Sequence, residues 1–197
     1  MKSFPDIQTA NDILLEAKKM NSGLWISHSK TVGFCAKTIS EKCEQLDPDK
    51  AYVLGLLHDI GRRYGVSGMK HIIDGYHFMM SLGYDECAKI CLTHSFPYKN
   101  IKSYNGKNDC TFEETEFIKN FISDIQYDDY DRLIQLCDAL SFPEGAVIIE
   151  KRLVDVTLRN GFNEYTLSKW KSFFVLKNYF DMKTNTNIYK LLNIKEY

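Results

Sequence analysis

Residues 47–61 read DPDKAYVLGLLHDIG, and their reading decides the fold. Asp47 is a helix N-cap, and Pro48 suits the first helical position because its φ is preset and its missing N–H has no partner to lose. An apolar run follows. The helix is expected to reach about Ile60 and to stop near Gly61, a residue type that ends helices. Its inner end carries His58 and Asp59, where an apolar core would be expected. An ionised carboxylate there is costly unless it is paired or metal-bound.

Working outward, the apolar spacing is helical nearly throughout. Helices are expected over residues 7–20 and 24–45. In the second, His28, Val32, Cys35, Ala36, Ile39 and Cys43 form one inward stripe. After a loop at Gly65, Ser67 and Gly68, a helix is expected over 69–82, with His71, Gly75, Phe78, Met79 and Leu82 on one side. Another covers 85–95 and ends at His94. Residues 96–110 look irregular and polar. Thr111 and Glu114 make a capping box for the next helix. A helix over 129–142 carries Asp138 in the apolar run LIQLCDAL, and Pro143 and Gly145 end it. Helices over 146–159 and 166–182 follow. No alternating strand pattern is present, so the expected fold is all-α, as a single domain over residues 1–197.

The 197 residues are 44% hydrophobic and 26% charged, with a formal net charge of -1. That balance suits a globular chain and gives no electrostatic footing for nucleic acid or an anionic membrane. No stretch is long enough for a transmembrane helix, and the N-terminus lacks a signal-peptide core. The six cysteines form no CxxC pair, which points to reduced thiols and a cytoplasmic location. A homodimer is compatible with the sequence.

His28, His58, Asp59, His71, His94 and Asp138 are each expected to face inward or to sit at the inner end of a helix. Helical bundles build metal centres from such side chains, projected inward off several helices. Imidazole with carboxylate suits Fe, Mn, Ni, Co or Zn.

The order His28, then HD at 58–59, then Asp138 resembles the HD-domain superfamily of metal-dependent phosphohydrolases. HDIG at 58–61 matches its signature. HIIDGYHFMMSLG at 71–83 is similar to the family helix of form His-x-x-x-Gly, and AKICLTHS at 88–95 to the following helix that ends in His. The likeness spans about residues 22–145 and leaves a C-terminal helical extension over 146–197. The resemblance implies that His28, His58, Asp59 and Asp138 hold a first metal. His71 and His94 would add a second, with Asp59 bridging. Two such ions can clamp a phosphoryl group and generate a hydroxide nucleophile.

The expected activity is hydrolysis of a phosphate ester or anhydride in a nucleotide or other small phosphorylated metabolite. Asp59 and Arg62 are the expected catalytic residues. Arg62 would meet the substrate phosphate, for which its rigid fork is suited. Arg63, Lys70 and the loop lysines Lys99, Lys102 and Lys107 are further candidates for an anionic ligand, and His77, at the pocket edge or surface, is a further candidate for substrate binding. Ser95 follows His94 where one branch has a second His, and no GYP motif is present. Both departures argue against the cyclic di-guanylate branch and for a small stand-alone hydrolase. Two other activities use a similar ligand set: a di-iron oxygenase, and a nucleotide-sensing module without catalysis.

Overall fold

A backbone-to-backbone contact between two glycines sets the central helix crossing. The computed structural model of the protein describes residues 3–195. It places α1 at Ile7–Met20, α2 at Leu24–Ser40 and α3 at Pro48–Leu57. A Cβ added at Gly55 of α3 would lie 2.9 Å from the Gly33 Cα of α2, so neither position has room for a side chain. This close approach lets His28, near the start of α2, stand beside His58, just past the end of α3.

The third helix ends at Leu57, earlier than the expected Ile60. Asp59 leaves helical geometry at φ -102° and ψ 15°, and a short 3₁₀ turn covers Ile60–Tyr64. Gly61 is thus no simple helix stop. It is buried in that turn, and a Cβ there would meet the His71 carbonyl oxygen at 2.0 Å. This glycine lets α4 (Lys70–Ser81) lie directly against the His58–Asp59 corner. Gly75 of α4 plays the same part against Cys91 of α5 (Asp85–Thr93), where a Cβ would meet Sγ at 2.9 Å. Three glycine contacts therefore draw together the four elements that carry histidines.

Two other helix ends differ from expectation. The second helix stops at Ser40, where the Ser40 hydroxyl donates to the Lys37 carbonyl and competes with the backbone ladder. Cys43 stays buried in the following turns, which is why its spacing reads as continued helix. After α6 (Phe112–Asp124), α7 runs over Asp129–Ala139 and ends before the expected Phe142. Ser141 and Phe142 instead pair with Ala146 and Gly145 in a two-stranded hairpin, with Gly145 at φ 147°. The structure is otherwise helical, as expected. It closes with α8 (Ile149–Asn160), α9 (Thr166–Thr184) and α10 (Ile188–Leu191).

The main core joins residues from both ends of the chain. Leu14, Ile39, Leu54, Ile134, Leu153, Phe180 and Ile188 belong to one buried cluster. A smaller cluster of Ile72, Ile73, Leu92, Phe96, Ile118 and Ile122 seats α6 on α4 and α5. Capping boxes at Thr111–Glu114 and Asp128–Asp131 start α6 and α7. All six cysteines are free thiols. Among the described residues no helix is long and apolar enough to cross a membrane.

Candidate metal centre

The residues from His28 to Asp138 meet at one end of the bundle. His58 is central: its ring centroid lies 5.3 Å from that of His28 and 5.0 Å from that of His94. His71 and His94 are 5.7 Å apart by the same measure. Two trios of ligand atoms lie within 4.8 Å of one another: His28, His58 and Asp138, and His58, Asp59 and His94. His71 joins through Asp59, its Nε2 standing 3.1 Å from Oδ1. All six predicted ligands are therefore brought together, and His58 is shared by both trios.

Backbone carbonyls orient three of the imidazoles. His58 Nδ1 is 2.7 Å from the Gly55 oxygen, and His71 Nδ1 is 2.5 Å from the Gly68 oxygen. His94 Nδ1 is 3.0 Å from the Cys91 oxygen. A carbonyl only accepts, so the proton belongs on each Nδ1 and the Nε2 lone pairs face inward. Carbonyl contacts of this kind are what fix the orientation of histidines that ligate metals. Burial lowers the pKa of His58, and burial with Arg62 lowers that of His71. Burial and His58 push His94 down to about 4, so these rings are neutral near pH 7.

Neutral rings leave the cluster short of positive charge at its centre. His71 Nε2 and Asp59 Oδ1 are two acceptors in contact, and His58 Nε2 is buried without a hydrogen-bond partner. A divalent ion among these atoms would satisfy all of them, so the donor set fits a metal. Burial alone would raise the Asp59 carboxyl, yet the opposing charge, that of Arg62 first, holds Asp59 well below the usual carboxylate range. Asp138 is likewise held low against burial, by the His28 hydrogen bond and by Arg152. His28 differs from the other rings. Its Nε2 is 3.0 Å from Asp138 Oδ1, and its Nδ1 is buried without a partner among the described residues.

The cluster opens into a cavity of about 540 Å³. A neighbouring cavity of about 490 Å³ shares Asp59, Arg62 and Arg152 with it and reaches Trp25 and Phe142. Arg62 lines both. Its Nε is committed to Asp59 Oδ2 at 2.7 Å, whereas its terminal nitrogens make only long contacts, to Ser67 O at 3.5 Å and His71 Nε2 at 3.4 Å. Lys107 also reaches the larger cavity.

The other cationic candidates lie elsewhere. Lys70 is held by Glu114 and faces Asp74 at 3.8 Å, so it is not at the site. His77 is exposed and packs edge-on against Tyr76, outside both cavities. Arg63 is buried against Phe78 and Glu16, Lys99 donates to the Ile125 carbonyl, and Lys102 is exposed.

Several residues of the site carry no signal that singles them out in the sequence. Asp109 accepts from the Gly68 and Lys70 amides, both at 2.7 Å, and so fixes the peptides on either side of the one whose carbonyl orients His71. Arg152 of α8 reaches Asp138 Oδ1 at 3.3 Å. Lys169, Trp170 and Phe173 of α9 form a further wall. Thr93 and Asp131 tie α5 to α7 through a buried 2.7 Å hydrogen bond, next to His94. The Asp131 acid at the third position of a capping box is readable in sequence, but its partner across the bundle is not.

A family model described as HD domain matches residues 25–142, more than half of the chain. No curated protein matches the chain, and no solved structure does. The matched span contains all six clustered residues and ends before α8.

Proposed function

The chain belongs to the HD-domain family of metal-dependent phosphohydrolases, and from that premise we propose that it hydrolyses a phosphate ester or anhydride of a nucleotide or other small phosphorylated metabolite. The observation that carries this reading is the inward convergence of the His58, His71 and His94 Nε2 atoms on the Asp59 carboxylate. His28, His58, Asp59 and Asp138, with His71 and His94, would hold one or two divalent transition-metal ions. A bound ion supplies Lewis acidity to a phosphoryl oxygen and lowers the pKa of water.

The chain's own residues supply orientation and charge. The Gly55, Gly68 and Cys91 carbonyls keep the rings in the tautomer that presents Nε2. Arg62 steadies Asp59 through Nε and offers its terminal nitrogens to a phosphate in either cavity. A guanidinium beside a reacting phosphoryl group stabilises charge where it develops. The larger cavity, at about 540 Å³, falls within the range of small-molecule sites.

The test is phosphate release from a panel of nucleotides and simpler phosphoesters, with Mn, Fe, Co or Ni added to chelator-treated protein under anaerobic conditions. Metal-dependent release without oxygen supports the proposal. Iron-dependent oxygen uptake with no phosphate released would replace it with an oxygenase.

A further inference from the structure

Lys169 is a buried ammonium facing the larger cavity without a counter-ion. It is 9% exposed, and among the described residues its ammonium makes no hydrogen bond and no ion pair, the backbone N–H alone donating, to the Tyr165 carbonyl. Its ammonium stands over Tyr104, whose ring centroid lies 5.9 Å from Nζ. It is the fourth residue of α9, near the end where the helix dipole disfavours a cation. A charge so placed without a direct partner costs stability, and of its charged neighbours Asp138 favours the ammonium while Arg152 opposes it.

The charges around it are already committed. Arg152 pairs with Asp138 and Asp155, and Arg159 pairs with Asp155. The Asp109 carboxylate is taken by two backbone amides, and Asp59 by Arg62 and the histidines. The same Tyr104 ring stands 6.5 Å from the His71 ring, so it borders both the metal-ligand cluster and the Lys169 ammonium. Trp170 and Phe173 continue the wall beside Lys169.

We propose that Lys169 binds a second anionic group of the substrate, in the same cavity as the histidine cluster and beside the Tyr104 ring, so that the substrate class carries two or more anionic groups. This rests on the phosphohydrolase reading for the position of the first group. The specificity determinant then lies outside the residues matched to the family, on the C-terminal helices.

The test uses the metal-loaded full chain and non-cleavable probes: methylphosphonate with one group, methylenediphosphonate with two, and the bis-methylene analogue of triphosphate with three. Calorimetry should show that Lys169→Met weakens the two- or three-group probe at least tenfold and methylphosphonate less than twofold, while Lys169→Arg stays within threefold of wild type. In the unaltered protein, the probe that binds through Lys169 should also shield it from acetylation by acetic anhydride, read by peptide mass. Equal weakening of all three probes, no weakening of any, or no shielding overturns the proposal. A chain that releases phosphate from no ester yet shows the Lys169-dependent preference would sink the hydrolase reading and leave this second-anion site standing.

Discussion

Asp59 Oδ1 and His71 Nε2 stand 3.1 Å apart with no proton to share, because the His71 proton belongs on Nδ1, against the Gly68 carbonyl. Two acceptors in contact destabilise the metal-free protein, and a cation between them removes the conflict. Adding Mn²⁺ to chelator-treated protein should therefore raise its melting temperature. At an ion concentration one hundred times Kd the gain is about 2.7 kcal/mol. For a chain of this size that is a shift of roughly 5–10 °C. Differential scanning calorimetry checks it, and an unchanged transition would contradict the cation-deficient reading.

Gly61→Ala tests the packing that builds the site. Its Cβ would fall 2.0 Å from the His71 carbonyl, a backbone atom that no side-chain rotation can clear. The 3₁₀ turn and α4 must separate, and overpacking of this kind costs about 1–3 kcal/mol or more. Chemical denaturation should show that loss. Metal affinity should fall with it, since the turn carries the Asp59 corner. A variant with wild-type stability and wild-type metal affinity would show that the contact does not hold the site.

Thr93→Val removes the donor to Asp131 without changing shape. Asp131 is fully buried and keeps only Lys89 and backbone partners. A buried acceptor that loses a hydrogen bond costs about 1–3 kcal/mol. We expect that loss in urea unfolding, with α5 and the attached His94 exchanging amide hydrogens faster. A change within 0.5 kcal/mol, about the ordinary scatter for surface positions, would count against the tie.

Stability should fall on acidification through two carboxylates beside the site. Burial would raise Asp109, but the Gly68 and Lys70 amides hold it below its ordinary value of 3.8. The Lys70 ion pair holds Glu114 below its ordinary value of 4.5. Both pKa values are depressed by folding, so their stabilisation is complete above about pH 4.5 and drains away as pH falls through the lower folded values. Asp109→Asn should flatten the acid limb of unfolding free energy against pH. An identical limb in the variant would remove Asp109 from this role.

The helices and the six residues that cluster could be read from the chain because both are written in local pattern. Apolar spacing marks a buried face, and a His or Asp on that face is conspicuous by its cost. Asp138 stands out within LIQLCDAL for this reason. Lys70 is drawn away from the cavities by Glu114, a partner far away in sequence, whereas His77 turns outward onto its own neighbour Tyr76. Lys169 stayed hidden for a different reason. In TLSKWKSFFVLKNYFDMKT apolar and charged residues surround the helix, so spacing does not say which lysine points inward. The helix ends at 58–61 and 140–146 went astray where glycines serve close approach or a hairpin.

The most direct measurement pairs metal content with turnover in Asp59→Ala. Wild type and variant are purified without chelator, their metals are determined by mass spectrometry, and phosphate release is followed on the best substrate of the panel. The account predicts that wild type carries transition metal and releases phosphate, while the variant loses both together. Phosphate release retained by metal-depleted Asp59→Ala protein would contradict it.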